Sequence, residues 1–317
     1  MSWHEEFGDA FRGERVLVSG ATGFIGRPLC EALLSLGADV HGVARCAEHG
    51  VTGVVPWSID LREAPQVDAV CAQIRPSFIF HLAAQVTARQ ERELIRPMLE
   101  HNLLGSVNLL TAVMQQRCRR FVFVGSGEEP AGEMRMAVPS SPYTAAKTAA
   151  SLYARMFQQV YQLPVTIVRP FLTYGPRQEP TKLIPYTIRK LLRGESPQLA
   201  SANRLCDFIH VTDIVRGMLW AAVQAGIEGE TFDLGTGEVV SIRAAVEMVA
   251  RIIGAAAPVQ FSPSPDRANE PPLIANLESS RRLLGWEPRW TLEAGLRATI
   301  DWYVGQHETS QATRRCA

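Results

Sequence analysis

Between a β-branched run, Arg15-Val-Leu-Val-Ser19, and an amphipathic helical stretch lies Gly20-Ala-Thr-Gly23-Phe-Ile-Gly26, and this strand, glycine loop and helix restrict the chain more than any other feature. Gly20 permits the tight turn, Gly23 lets backbone amides approach a pyrophosphate, and Gly26 lets the helix pack closely on the strand. A glycine triad alone recurs in ordinary strand-to-helix turns. Here strand, spacing and helix agree, so the loop reads as a dinucleotide cradle, with Thr22, Phe24 and Ile25 contributing.

Downstream, short β-branched runs alternate with amphipathic segments, which is how a parallel sheet covered on both faces is written in sequence. Strands are expected at 15–19, 39–43, 54–58, 77–82, 120–125 and 164–169, with helices near 25–36, 65–74, 97–117 and 143–162. That predicts an α/β fold with a doubly wound parallel sheet of the Rossmann type. Beyond Pro170 the chain becomes loop-rich, with a helix near 180–193, strands at 207–211 and 231–235, and a proline-rich stretch at 262–272. The expected division is a dinucleotide-binding domain over 13–170, a smaller α/β substrate domain over 171–306, partly interleaved with the first, and a disordered tail over 307–317.

Thirty-two basic and 32 acidic residues cancel, which removes the electrostatic footprint of a nucleic-acid or anionic-membrane binder. The six cysteines, at 30, 46, 71, 118, 206 and 316, form no CxxC pair and read as free thiols in a reducing cytoplasm. The first residues are polar and acidic, unlike a secretory signal, and no run approaches the ~18 residues of a membrane span. A cytoplasmic enzyme is the expectation. The cluster Arg117-Cys118-Arg119-Arg120 reads as a solvated turn, and His81, ending a buried strand, as structural.

The end of the second strand, Gly42-Val43-Ala44-Arg45, carries no acid to hold a ribose 2′-hydroxyl and one arginine suited to a 2′-phosphate, which favours NADP(H) over NAD(H). Asp60-Leu61 follows the third strand, where Asp60 could border the adenine pocket or simply cap a helix. Tyr143 and Lys147 stand four apart at a helix start, on one face. A cation beside a phenol lowers the tyrosine pKa and makes it a proton shuttle. Ser126 ends the fifth strand, at the sheet edge where open α/β proteins place ligands.

Together these residues resemble the extended short-chain dehydrogenase/reductase family of nucleotide-sugar epimerases, dehydratases and ketoreductases. The likeness runs from about residue 14 to 304 through GATGFIG, His81-Leu-Ala-Ala84, Asn102 with Gly105, SPYTAAK, Arg169-Pro170, Tyr174-Gly175-Pro176, DFIHVTDI and LLGWEPRWTLEAGL. The resemblance implies cofactor contacts from Leu82, Ala83, Ala84, Asn102, Tyr143, Lys147 and Pro170 and substrate contacts from Thr87 and Glu128. It also implies a homodimer built from two helices of the first domain. Within the family, Gly125-Ser-Gly-Glu-Glu129 and Arg267-Ala-Asn-Glu-Pro-Pro-Leu-Ile274 look most like the GDP-4-keto-6-deoxymannose reductase group.

The chain also departs from the family pattern. The substrate-binding hydroxyl usually aligns with Gly127, which leaves Ser126 as its nearest substitute. Leu172 replaces an asparagine and Cys206 an arginine, two positions that help hold the diphosphate in relatives. Arg204 could compensate from the same strand face, and Arg267 stands where a diphosphate-binding arginine is expected. Glu128 and Glu129 match by position the acidic pair of the dehydratases, or are a solvated or hydroxyl-binding pair.

The expectation is reduction of a 4-keto-6-deoxyhexose at C4 of a nucleotide sugar. Tyr143 would donate the proton, Lys147 tune it and Ser126 orient the carbonyl. The rivals are a redox-neutral 4-epimerase or 4,6-dehydratase retaining NAD, and a dinucleotide-sensing protein without turnover.

Overall fold

The computed structural model describes residues 2–45, 51–87, 89–130, 138–262 and 272–315, so Arg267, Cys46 and Cys316 lie outside the described residues. In chain order the first elements are α1 (Trp3–Phe7), β1 (Arg15–Ser19), α2 (Gly26–Ser35), β2 (Asp39–Ala44), β3 (Val55–Ser58), α3 (Ala64–Ile74) and β4 (Phe78–His81). A 3-10 turn (Arg92–Leu94), α4 (Ile95–Met98), a π-helical segment (Leu99–Leu104) and α5 (Gly105–Met114) lead to β5 (Arg120–Val124), α6 (Pro142–Tyr161) and β6 (Val165–Pro170). The helix expected at 97–117 therefore starts earlier and is interrupted by a π turn.

Strand order is β11-β6-β5-β4-β1-β2-β3, with β11 formed by Thr231–Leu234. Neighbouring pairs from β3 to β6 are parallel. The order reverses between β1 and β4, which opens a crevice at their C-terminal ends. The two central strands explain their own position: every residue of β4 and β5 is buried, as required where helices cover both faces. Phe78, Phe80, Phe121 and Phe123 are fully buried there, and truncating such a ring costs about 3–5 kcal/mol. The seventh strand comes from a segment that the sequence assigned to the substrate domain.

By internal packing the chain divides into two units, one of Met1–Pro170, Val215–Asp233 and Glu278–Trp286, the other of Phe171–Ile214, Leu234–Leu277 and Glu287–Ala317. The second contains β7 (Leu172–Tyr174), α7 (Leu183–Leu192), β8 (Gln198–Leu199), β9 (Leu205–Cys206) and β10 (Phe208–His210), and shares α8 (Val211–Val223). It continues with β12 (Val240–Ser241), α9 (Ile242–Ile253) and β13 (Gln260–Phe261); α10 (Glu278–Arg282) belongs to the first unit and α11 (Leu292–Arg315) to the second. Strands this short cannot hold themselves together. Asp207 ties them, accepting from the Thr236 amide at 2.7 Å and hydroxyl at 2.6 Å, the Gly237 amide at 2.8 Å and the Ala275 amide at 3.2 Å. Behind it α7, α9 and α11 pack a core of Ile184, Ile188, Val246, Leu296 and Ile300.

Three expectations need correction. α11 runs to Arg315, through the segment expected as a disordered tail, because a helix whose earlier turns are already docked adds further turns without a new nucleus. Arg120 is 4% exposed, bonding Thr166 Oγ1 at 3.0 Å, the Gln224 carbonyl at 2.7 Å and Glu228 at 2.7 Å, while Arg119 lies over the Phe78 ring. Arg120 is therefore not part of a solvated turn, whereas Arg117 and Arg119 are exposed in it as expected. Finally, α1 was not anticipated: Ser2 caps it in a capping box, Phe7 and Phe11 bury against Trp220 and Phe78, and Glu6 accepts from the Trp220 indole at 2.9 Å. Among the described residues no helix is long and apolar enough to cross a membrane, and Cys30, Cys71, Cys118 and Cys206 are free thiols.

Candidate active site

The crevice floor is made by glycines, two of which, Gly20 and Gly26, leave no room for a side chain. Gly20 has φ +74°, and a Cβ on it would stand 2.9 Å from the Ala83 amide; one on Gly26 would lie 2.1 Å from the Gly20 carbonyl. Gly23 is exposed at the loop crest. Ile25 occupies the α2 N-cap position without a side-chain capping bond, so the first-turn amides keep room for an anion. Thr22 lends its carbonyl to Arg27 at 3.0 Å, and Phe24 is half-buried. The glycines keep side chains out of the loop and the helix start carries no side-chain cap, so the residues fit the pyrophosphate of a dinucleotide.

A buried hydrogen-bond chain supports the other wall. The Ala83 amide donates to Ser19 Oγ at 3.3 Å, which bonds His81 Nδ1 at 2.6 Å. His81 Nε2 bonds Ser106 Oγ at 2.8 Å, and that hydroxyl donates to the Asn102 carbonyl at 2.6 Å. Asn102 closes the chain on Gln85, accepting its amide at 2.7 Å and donating to its carbonyl at 2.9 Å. Ser106 donates onward, so the directions are consistent with a neutral His81 carrying its proton on Nε2. Burial, then the Lys147 charge, push His81 down to about 3. Asn102 thus holds the Leu82-Ala83-Ala84 loop in place, its amide committed to Gln85. Sequence reasoning missed Ser19, Gln85 and Ser106, whose roles depend on partners 17 to 64 residues away.

At the adenosine end, Arg45 is exposed, with its carbonyl accepting from Ser58. Asp60 is engaged by Arg62 at 2.6 Å, and that hydrogen bond pulls its carboxyl down to about 2. Leu61 packs at 3.2 Å from where a Gly105 Cβ would be, and its carbonyl accepts from Asn108. Thr87 Oγ1 accepts the Arg89 amide at 3.2 Å.

The chemistry gathers where β5 ends. Ser141 caps α6 by accepting the Thr144 amide, with Pro142 in the first turn, and this sets Tyr143 and Lys147 one turn apart on the buried face. The Tyr143 phenol lies beside the Ser126 side chain, whose oxygen accepts the Glu128 amide at 3.2 Å. Ser126 thus meets the phenol itself, whatever Gly127 lacks. Lys147 donates to the Val124 carbonyl and lies 5.1 Å from the Phe123 ring centroid. Burial pushes Lys147 down to about 8 and raises the Tyr143 phenol, an effect that the Ser126 side chain opposes and Glu128 and Glu129 reinforce. The lowering expected from the lysine does not prevail in this environment, because burial is the largest influence on the phenol and raises it. Pro170 accepts the Gly127 amide at 3.0 Å, extending the β5–β6 ladder under the site. In the second unit, Arg204 is half-buried just before β9 and Cys206 is 2% exposed.

A parallel doubly wound sheet with a glycine cradle at its switch point and a serine, tyrosine and lysine at a neighbouring strand end defines a dinucleotide-dependent short-chain dehydrogenase/reductase. A sequence model of the NAD dependent epimerase/dehydratase family matches residues 16–235, and the chain belongs to that family as an enzyme. A UDP-glucose 4-epimerase of Mycolicibacterium smegmatis is 30% identical over 321 residues, spanning 91% of this chain and 98% of its own. A dTDP-glucose 4,6-dehydratase of Neisseria gonorrhoeae is 27% identical over 92% of this chain and 96% of its own. Among solved structures, the UDP-glucose 4-epimerase of Thermotoga maritima with UDP-glucose superposes with a TM-score of 0.85 at 26% identity, covering 92% of this chain and 99% of its own. The UDP-glucose 4-epimerase of Thermus thermophilus in complex with NAD gives 0.82 at 29% identity over the same shares.

Proposed function

We propose that this chain is a redox-neutral nucleotide-sugar 4-epimerase that retains NAD(H), in place of the C4 reductase expected from the sequence. The observation that carries the reading is the placement of Glu129. Its carboxylate is committed to the Ser126 amide and is 8% exposed, so among the described residues Glu128, half-buried, is the carboxylate near Tyr143 that this bond does not hold. A 4,6-dehydration needs further acid–base groups for C5 and C6 beyond the one serving O4. Epimerisation needs only the group at O4, and Tyr143 with Ser126 supplies it. The UDP-sugar relatives support the same choice of substrate class.

When bound, the nicotinamide supplies reversible hydride exchange at the sugar C4. Tyr143 takes the O4 proton and returns it, so no net proton or electron is consumed. Ser126 orients O4 and shares the proton with the phenol. Lys147 places a positive charge beneath the relay as the phenol ionises. Gly20, Gly23 and Gly26 hold the pyrophosphate with backbone amides. Arg45 would border the adenosine ribose, where the lack of an acid also admits a 2′-phosphate. For Thr87, Arg204 and Arg267 the proposed role remains contact with the sugar nucleotide. Met114, Leu152, Tyr153, Val160 and Tyr161 are exposed on α5 and α6, which supports pairing of two copies through those helices.

The test is to incubate purified protein with UDP-glucose or UDP-galactose and no added cofactor. Interconversion with no net change in 340 nm absorbance is expected, together with NAD(H) released on denaturation and sedimentation at twice 34.9 kDa. Stoichiometric consumption of NADPH with a 4-keto-6-deoxy sugar nucleotide, and none with the hexoses, would return the reductase.

A further inference from the structure

The end of β5 carries two buried charges on nearby backbone groups. Lys147 donates to the Val124 carbonyl, and Glu129 Oε1 accepts the Ser126 amide at 2.7 Å. Between them stands Gly125, where a Cβ would come within 2.5 Å of that same carboxylate oxygen and 3.3 Å of the Arg169 stem. The glycine is therefore a requirement of the carboxylate. Arg169 in turn is paired with Asp233 at 2.6 Å.

Among the described residues the charges facing this cluster balance. Lys147 and Arg169 are the cations, and Glu129 and Asp233 the anions. The other titratable groups turned toward it among those residues are the neutral His81 ring, the Tyr143 phenol and Glu128 near the phenol. Burial alone favours the uncharged form of both Glu129 and Lys147, and each is the other's opposing charge. Removing one member leaves its partner buried and unpaired, a state a protein escapes by shifting a proton.

We propose that Glu129 is a positioning residue of the catalytic centre: it fixes the Ser126 amide, and with it the hydroxyl that meets Tyr143, and it keeps the Lys147 ammonium charged. This rests on the epimerase reading only for what the relay does, and the decisive measurement needs no substrate. The chain has three lysines, Lys147, Lys182 and Lys190, so selective lysine labelling gives three side-chain resonances, assigned through Lys182→Arg and Lys190→Arg.

Glu129→Gln keeps an acceptor for the Ser126 amide and removes the charge. The Lys147 titration midpoint is expected to fall by roughly one to three pH units, as for loss of an opposite charge at short range. In turnover assays the alkaline limb of the kcat profile should move down by the same amount, with KM changed by less than about threefold and restoration by Glu129→Asp. An unmoved Lys147 midpoint overturns the proposal whatever the activity. A shifted midpoint with an unshifted alkaline limb upholds the coupling and removes Lys147 from the turnover mechanism, which separates the two readings.

Should Glu129→Gln not fold, Gly125→Ala provides a second route. That single change is expected to lower Tm because its Cβ meets the carboxylate, and to lower it by less in the Glu129→Asp background, where the shorter side chain withdraws the oxygen and keeps the charge. Equal losses in the two backgrounds overturn the placement of Glu129.

Discussion

At the end of β5, Tyr143, Lys147 and Glu129 are 7%, 3% and 8% exposed, whereas at the ends of β2 and β3 the Asp60, Arg62 and Glu100 side chains are 25%, 35% and 36% exposed. Both regions hold charged groups at the C-terminal ends of the sheet's strands, but they hold them on different terms. At the buried end each charge exists because another balances it, so one substitution disturbs several groups. At the exposed end water screens every pair, and ion pairs there contribute little. Reaction chemistry is thereby coupled tightly to the fold, while the preference for one dinucleotide over another can change by single surface substitutions.

Tyr143→Phe should show the largest effect. Loss of a general acid–base group costs typically ~100- to 10,000-fold in kcat, with cofactor affinity nearly unchanged, checked by turnover and by calorimetry. A variant retaining a tenth of the activity would remove Tyr143 from the mechanism and with it the contrast between the two ends. Ser126→Ala should cost more than about tenfold in kcat and less than the tyrosine change, since the hydroxyl beside the phenol is lost while Gly127 offers none and the burial persists.

Acid stability sharpens the contrast from the structural side. His81 and His210 are held down to about 3 and about 4, in each case chiefly by burial, so the unfolded chain binds more protons than the folded one below the ordinary histidine value. Stability present above pH ~6.5 is then lost as pH falls toward those folded values, by up to about 1.4 kcal/mol per pH unit for each ring. Denaturant titrations from pH 7 to 5 should show that slope, and His81→Asn should flatten it by about half. An unchanged slope would mean that His81 titrates as a solvated ring. Arg45→Ala should give the smallest effect: NADP(H) affinity falls about tenfold and NAD(H) affinity stays the same, as for one exposed charge-assisted contact. Equal losses for both cofactors would place Arg45 away from the ribose.

What was legible in the sequence follows the same division by range. The glycine loop and the Tyr143–Lys147 pair are local patterns, and their partners lie within one turn, so spacing alone carried them. The alternation of β-branched and amphipathic runs likewise located β1, β2, β4, β5 and β6. Glu129 reads together with Glu128 because adjacency in sequence says nothing of which carboxylate turns inward; that is decided by Gly125 and Arg169. Arg120 reads as solvated beside Arg117 and Arg119 because its partners, Thr166, Gln224 and Glu228, come from segments 46 to 108 residues on. β11 joins the main sheet for a reason of the same kind, an edge left open by β6. No periodicity records such an encounter.

The π-helical segment Leu99–Leu104 gives the chain a peculiar sensitivity to length. A π turn holds one residue more than the α-helical turn it replaces, and here that extra residue delivers Asn102 to the Gln85 backbone. Excision of a single codon within the segment would let the helix relax to α geometry, with the turns on either side kept in register and the residues of the bulge itself displaced. Asn102 would leave Gln85, the Leu82–Ala84 loop would lose its clasp, and the cradle would slacken though no residue of the cradle itself had changed. Insertions and deletions, more than substitutions, are what this wall of the crevice has to be protected from.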